Sequence, residues 1–232
     1  MRFLLHSLGE AIQLILRADR DLLAALGTTL QVSITSTLLA SAIALPLGLA
    51  VALTEFPGKR SILSLLRTAL ALPTVVVGLF VYAFIARSAP LGELSLLFTP
   101  TAIVIGQVLL IIPLITALVY AALQESIQVV YEESLLLGAS PMAACWKTLT
   151  ESRIAILTAL MTGFGRVVSE VGVSLLLGGN IRGVTRTITT AITLETSQGN
   201  FSSAFALGLV LLGLVLLVNL VIQTAGVRRT AV

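Results

Sequence analysis

The sequence predicts an all-α membrane protein, a polytopic helical bundle of about five transmembrane helices with a sixth helix lying in the membrane interface. Three observations carry that prediction. Hydrophobic residues make up 57% of the 232 and charged residues only 11%, and the mean hydropathy of +1.06 lies far outside the soluble range. Five apolar runs are long enough to cross a bilayer, for which about twenty apolar residues suffice. Between two of those runs stands a polar island, Gln124 to Arg153, holding four glutamates, a lysine and an arginine. Residues 1–232 are therefore expected to form a single transmembrane domain with no soluble domain beside it.

The elements follow in order. Residues 1–20 start apolar, but His6, Glu10, Gln13 and Arg17 recur at helical spacing along one stripe. Such a stripe marks an amphipathic helix lying in the interface; a short additional span is the alternative. Glu10 interrupts the apolar region and no small-x-small cleavage site follows, which argues against a signal peptide. The five spans are expected near Ala24–Leu53, Ser61–Ala86, Thr101–Leu123, Ile154–Gly178 and Ser203–Gly226.

Four spans carry residues that disturb helices: Pro46-Leu47-Gly48, Pro73 with Gly78, Gly106 with Pro113, and Gly163-Phe164-Gly165. Proline frees a backbone carbonyl, which is tolerated where neighbouring helices or water re-satisfy it. The first span is rich in hydroxyls, among them Thr28, Thr29, Ser33, Ser36 and Ser41, which suits close packing through small residues. One face collects Lys59, Arg60, Lys147, Arg153, Arg228 and Arg229, the other Arg2, Arg17, Arg20, Arg87, Arg182 and Arg186. With Arg2 and Arg17 assigned to the interfacial helix and Arg67 added, the first face is expected to be cytoplasmic.

Inside the island a short charged helix is expected to end at Gly138, a residue free to take the left-handed conformation. Ser140 then caps, and Pro141 starts, a second short helix running toward Lys147. Helix, glycine and helix in an exposed segment make a compact knob shaped to fit a groove on another molecule.

The fourth span holds the residues most costly to bury. Arg166 and Glu170 lie four apart and share a helix face. Charges at membrane depth face a partner or an aqueous cavity. Two readings stand: an ion pair locking helices together, or an arginine lining an anion path with Glu170 holding its side chain. A proton relay is less attractive, because the arginine favours the ionised carboxylate. Beyond it come Gly178-Gly179-Asn180-Ile181-Arg182-Gly183-Val184-Thr185-Arg186 and then Thr187, Thr189 and Thr190. Glycine allows close backbone approach, arginine offers fixed donors to an oxyanion, and clustered amides can form a nest. An ordinary interfacial loop whose arginines reach lipid headgroups is the plain alternative.

Other chemistry is poorly served. No phosphate-binding glycine loop is present, since Gly58-Lys59-Arg60 lacks the preceding pattern. The one histidine, His6, and the one cysteine, Cys145, form no metal-ligand cluster, and Cys145 excludes an internal disulfide. No catalytic residue, metal, cofactor or nucleic-acid partner is expected, and energy for transport would have to enter through another subunit.

The island resembles the coupling loop, the EAA loop, of permease subunits of binding-protein-dependent ABC importers. The usual form is Glu-Ala-Ala-x-x-x-Gly, followed further on by Ile-x-Leu-Pro. Glu132, Gly138, Ala139 and Ser140 match, while Glu133 and Ser134 replace the two alanines. Thr148 stands for the isoleucine and Thr150-Glu151 for Leu-Pro. The likeness runs from about Leu22 to Val227. The stretches Gly163-Phe-Gly-Arg-Val-Val-Ser-Glu-Val-Gly172 and Gly178 to Ile192, with Leu194-Glu195-Thr196, are similar to the tungstate-type permeases, relatives of molybdate and sulfate permeases.

That resemblance implies the MetI-like permease fold and a homodimer in the inner membrane, with the path along the dimer axis. It implies a cytoplasmic ABC ATPase subunit docked on Glu132, Glu133, Ser134, Gly138, Ala139 and Ser140. An extracytoplasmic binding protein would deliver the anion. Arg166, Glu170, Gly179, Asn180, Arg182 and Arg186 would lie along the translocation path. An ion-gradient-driven secondary carrier would predict inverted repeats and paired broken half-helices, and the sequence displays neither; a scaffold that binds an ATPase without passing solute is a second rival.

Overall fold

The computed structural model describes residues 20–227, with Leu8, Gly9, Ile12, Gln13 and Leu16 before them. His6, Glu10 and Arg17 of the expected interfacial helix lie outside the described residues, as do Arg2, Arg228 and Arg229. The described chain is helical and contains no strand. Helix α1 runs Arg20–Leu53, α2 Lys59–Leu70, α3 Thr74–Ile85, α4 Pro100–Ser126, α5 Glu132–Leu136 and α6 Pro141–Glu151. Then come α7 Arg153–Val168, α8 Gly172–Gly178, α9 Ile188–Ser197 and α10 Phe201–Val227.

Three helices are long and apolar enough to cross a membrane, Arg20–Leu53, Pro100–Gln124 and Phe201–Leu220. The count is five when α2 with α3, and α7 with α8, are each taken as one broken span. At about 1.5 Å per residue the 34 residues of α1 rise roughly 51 Å, well past a hydrocarbon core of about 30 Å. Pro46 and Pro113 are accommodated inside α1 and α4.

Two expected spans are broken. The second divides at Ala71–Pro73, because proline pushes the residue before it out of the helical region, and Pro73 itself is extended at ψ 125°. The fourth stays helical through Gly163-Phe164-Gly165, where the sequence suggests disturbance, and breaks at residues 169–171 instead. Gly163 serves packing: a Cβ there would stand 2.7 Å from the Ile115 side chain. The true break is polar. Ser169 Oγ bonds back to the carbonyls of Gly165 and Arg166, and the Glu170 carboxylate accepts the Val173 N–H at 3.2 Å, so it caps the next helix.

The chain forms two compact units. One comprises Met1–Ser36, Pro73–Val108 and Gly165–Val232; the other comprises Thr37–Leu72 and Leu109–Phe164. In the first, Val81, Ile85, Ala102, Val173 and Leu177 form one cluster, and Leu22, Ala25, Ile188 and Val210 another. Lipid is as apolar as leucine, so close fit and not water exclusion holds such helices together. Gly106 illustrates the fit, since a Cβ there would come within 2.6 Å of both Val173 and Leu177. In the second unit Gly48 does the same against Val119.

Candidate functional site

The coupling candidates occupy a continuous helical passage. Helix α4 passes through a wide turn at Ile127–Tyr131 into α5. The end of α5 is closed by two bonds, Ala139 N–H to the Ser134 carbonyl at 2.9 Å and Gly138 N–H to the Leu135 carbonyl at 3.0 Å. That pairing demands a left-handed residue, and Gly138 has φ +88°. Ser140 accepts the Ala143 N–H and Pro141 opens α6. The local geometry expected from Gly138-Ala139-Ser140-Pro141 is the geometry found.

Helix α6 buries Ala144 and Thr148 on one side. Met142 and Trp146, also four apart, are 77% and 72% exposed on the other. Leu136 and Leu137 at the bend are 87% and 88% exposed. Glu132 and Glu133 stand in solvent nearby. The departures from the family pattern are accommodated. The Thr148 hydroxyl bonds to its own helix at Ala144. With Glu151 in place of proline, α6 runs on to a Lys147–Glu151 pair of 2.6 Å. Lys147 thereby holds the Glu151 carboxyl below the usual carboxylate range.

The anion-path candidates lie in the other unit and are sorted by their partners. Arg166 meets Glu170 at 3.1 Å. Glu170 is 2% exposed, whereas the arginine side chain is 40% exposed and makes one hydrogen bond among the described residues. The main-chain oxygen of Glu170 accepts from Thr189. Arg182 is otherwise engaged: its guanidinium forks onto the Asp21 carboxylate, with Nε donating to Oδ1 at 2.7 Å. Arg186 donates to the Asn180 side chain at 3.2 Å and to its carbonyl at 3.4 Å. Gly179 and Asn180 are both left-handed, at φ 69° and 53°. The Phe98 ring occupies the space where a Gly179 side chain would stand.

The loop is less of a nest than the sequence suggests. Its amides turn inward, with Val184, Thr185 and Arg186 all donating to the Ile181 carbonyl. Thr187 and Thr190 cap α9 reciprocally, and Ile188 N–H donates to the Thr29 hydroxyl at 3.0 Å. Two groups lie beyond the sequence expectations. Gln107 accepts from Ser36 at 2.8 Å and donates to the Val167 carbonyl; a lone amide inside an apolar run is its visible signal. Asp21, the partner of Arg182, is 161 positions away from it and carries no local signal.

Residues 44–229 match the family model described as a binding-protein-dependent transport system inner membrane component. The chain belongs to that family. A probable anion ABC transporter permease protein of Haloferax volcanii is 40% identical to this permease over 196 residues, covering 82% of this chain and 84% of the relative. The tungstate uptake system permease protein TupB of Campylobacter jejuni is 38% identical over 231 residues, or 98% and 95% of the two chains. A crystal structure of a bacterial ABC transporter involved in the import of the acidic polysaccharide alginate superposes with a TM-score of 0.62 at 20% identity, over 87% of this permease and 79% of that chain. The last likeness shows the fold alone. The permease is a multi-pass inner-membrane protein and a transport-system subunit.

Proposed function

We propose that this permease is the non-catalytic membrane subunit of an ATP-driven importer that passes tungstate, or a tetrahedral oxyanion of the same class, into the cytoplasm. The observation that carries the coupling half is the helix–Gly138–helix knob: a polar segment that holds Leu136, Leu137, Met142 and Trp146 out to water is built to be covered. A cytoplasmic ABC ATPase subunit is the partner that the family implies. Glu132, Glu133, Ser134, Gly138, Ala139 and Ser140 would transmit its closure on ATP to the membrane helices. A homodimer of the permease and an extracytoplasmic oxyanion-binding protein complete the assembly.

The substrate half is supported by the tungstate permease relative and by Arg166. Glu170 anchors this half-exposed guanidinium through one N–H and leaves its other donors for an anion. Gly179, Asn180, Arg182 and Arg186 would form the approach to it. Arg182 and Arg186 would steer by field, since Asp21 and Asn180 hold their forks.

The test is elemental mass spectrometry of cells lacking the permease at nanomolar external tungstate, re-supplied with wild type or variants. Wild type should restore intracellular tungsten, and Gly138 replaced by a bulky residue should not, although the protein still inserts. Restoration of molybdenum or sulfur in place of tungsten would change the substrate and keep the importer. Unchanged anions throughout would favour a scaffold, and full tungsten uptake with bulky Gly138 variants would sink the coupling role.

A further inference from the structure

We propose that α2 lies in the membrane plane and binds an anionic leaflet, with its leucine face in the acyl boundary and Arg60 and Arg67 on phosphate-bearing headgroups. None of its twelve residues is buried. At about 100° per residue, Ile62, Leu63, Leu65, Leu66, Ala69 and Leu70 gather on one side. Arg60, Ser61, Ser64, Arg67 and Thr68 gather on the opposite side. A spanning helix would be apolar all round; this one is divided lengthwise.

The exposed apolar groups and the charges then identify the occupant. Ile62, Leu65 and Leu70 are exposed, in a helix that carries three cations and no acid. Lys59 is spent internally, donating to Glu55 at 2.7 Å and to the Thr54 carbonyl at 3.1 Å, with its ammonium 5.9 Å from the Tyr120 ring centre. Arg60 and Arg67 are exposed and make no side-chain bond among the described residues. A second copy packed on this helix through a two-fold axis would bring like charges together. An anionic leaflet offers an acyl boundary to the leucines and phosphates to the arginines.

The inference rests on membership of a membrane family and not on the transported anion. The experiment uses the full chain with Cys145→Ser, spin-labelled at Leu65→Cys or Ser64→Cys, in phosphatidylcholine vesicles with and without phosphatidylglycerol. Dissolved oxygen should relax the label at 65 and a water-soluble nickel chelate the label at 64. A label at 65 shielded from both reagents means a protein cover, and one reached by the chelate means a solvent face; either overturns the proposal. Native mass spectrometry then counts retained phosphatidylglycerol. Arg60→Gln with Arg67→Gln should lower its retention by about fivefold for each cation removed, with phosphatidylcholine unchanged. Equal phosphatidylglycerol retention overturns the headgroup contact.

Discussion

The segments around Gly138 and Gly179 both turn on a left-handed glycine, and they treat polarity in opposite ways. Gly138 lies inside the polar island Gln124 to Arg153, yet Leu136, Leu137, Met142 and Trp146 stand outward. Around Gly179 the chain is at the end of a membrane helix, yet Thr185, Thr187, Thr189 and Thr190 are all buried. An outward apolar surface on a polar segment gains nothing for the isolated chain and is explained by a partner. Inward hydroxyls are explained by the chain itself, because each one closes a backbone group that lipid cannot satisfy. Changes at the first segment should therefore alter assembly, and changes at the second should alter folding.

The largest effect is expected at the ion pair that borders the threonine core. Arg166→Ala leaves Glu170 as an unpaired charge at 2% exposure, a loss of about 3 kcal/mol at the lower end of the range for buried pairs. Thermal unfolding in detergent should fall sharply, and Glu170→Gln in the same chain should recover most of it. Recovery of stability without recovery of uptake would separate the anion role of Arg166 from its structural one. Wild-type unfolding of Arg166→Ala would instead remove the buried pair from the comparison altogether. At the other segment Trp146→Ala should leave unfolding within about 0.5 kcal/mol of wild type. Binding of the ATPase subunit should weaken about 30-fold, the scale of an interface anchor. A Trp146→Ala chain that unfolds early but binds normally would invert the assignment.

Much of this contrast is legible in the residues, for local reasons. Gly138, Ser140 and Pro141 each dictate one backbone feature within a few positions, so the knob can be read from the chain alone. Arg166 and Glu170, four apart on one helix, are equally legible. The break in the fourth span is not. Gly163 and Gly165 look like the weak point, but a neighbouring isoleucine fills the space above Gly163 and the polar pair Ser169-Glu170 makes the turn instead. Arg182 reads as a free donor in sequence because Asp21, which takes its fork, comes from the start of α1. Pairings of that sequence separation leave no periodic trace. The second span shows the same limit: its charged start and apolar end differ enough to be two helices, and Pro73 marks the seam.

A smaller effect sharpens the inward half of the comparison. Thr29 and Val are nearly the same shape, so Thr29→Val removes the acceptor of the Ile188 N–H while keeping the packing. An orphaned buried donor costs about 1–3 kcal/mol. Thr29→Ser keeps the oxygen and should unfold close to wild type. Equal unfolding of Thr29→Val and Thr29→Ser would mean that the hydroxyl contributes only bulk.

The smallest effect belongs to the exposed Lys147–Glu151 pair at the end of α6. Hydrogen bonding to Lys147, followed by its charge, lowers the Glu151 carboxyl from its ordinary value. A depressed carboxyl contributes stability that is present above its unfolded value and is lost as pH falls through the folded one. The window is therefore acidic, and above it Glu151→Gln should behave uniformly with pH. Both side chains are about half exposed, so solvent screens the pair and its contribution lies at the bottom of the range for surface ion pairs. Wild type should unfold only slightly later than Glu151→Gln at neutral pH, and the two unfolding curves should converge on acidification as the Glu151 carboxylate is protonated. A clear difference at neutral pH would mean that Glu151 organises the exit from the knob in the way the family's proline does, and the boundary between the two segments' roles would then begin one helix later.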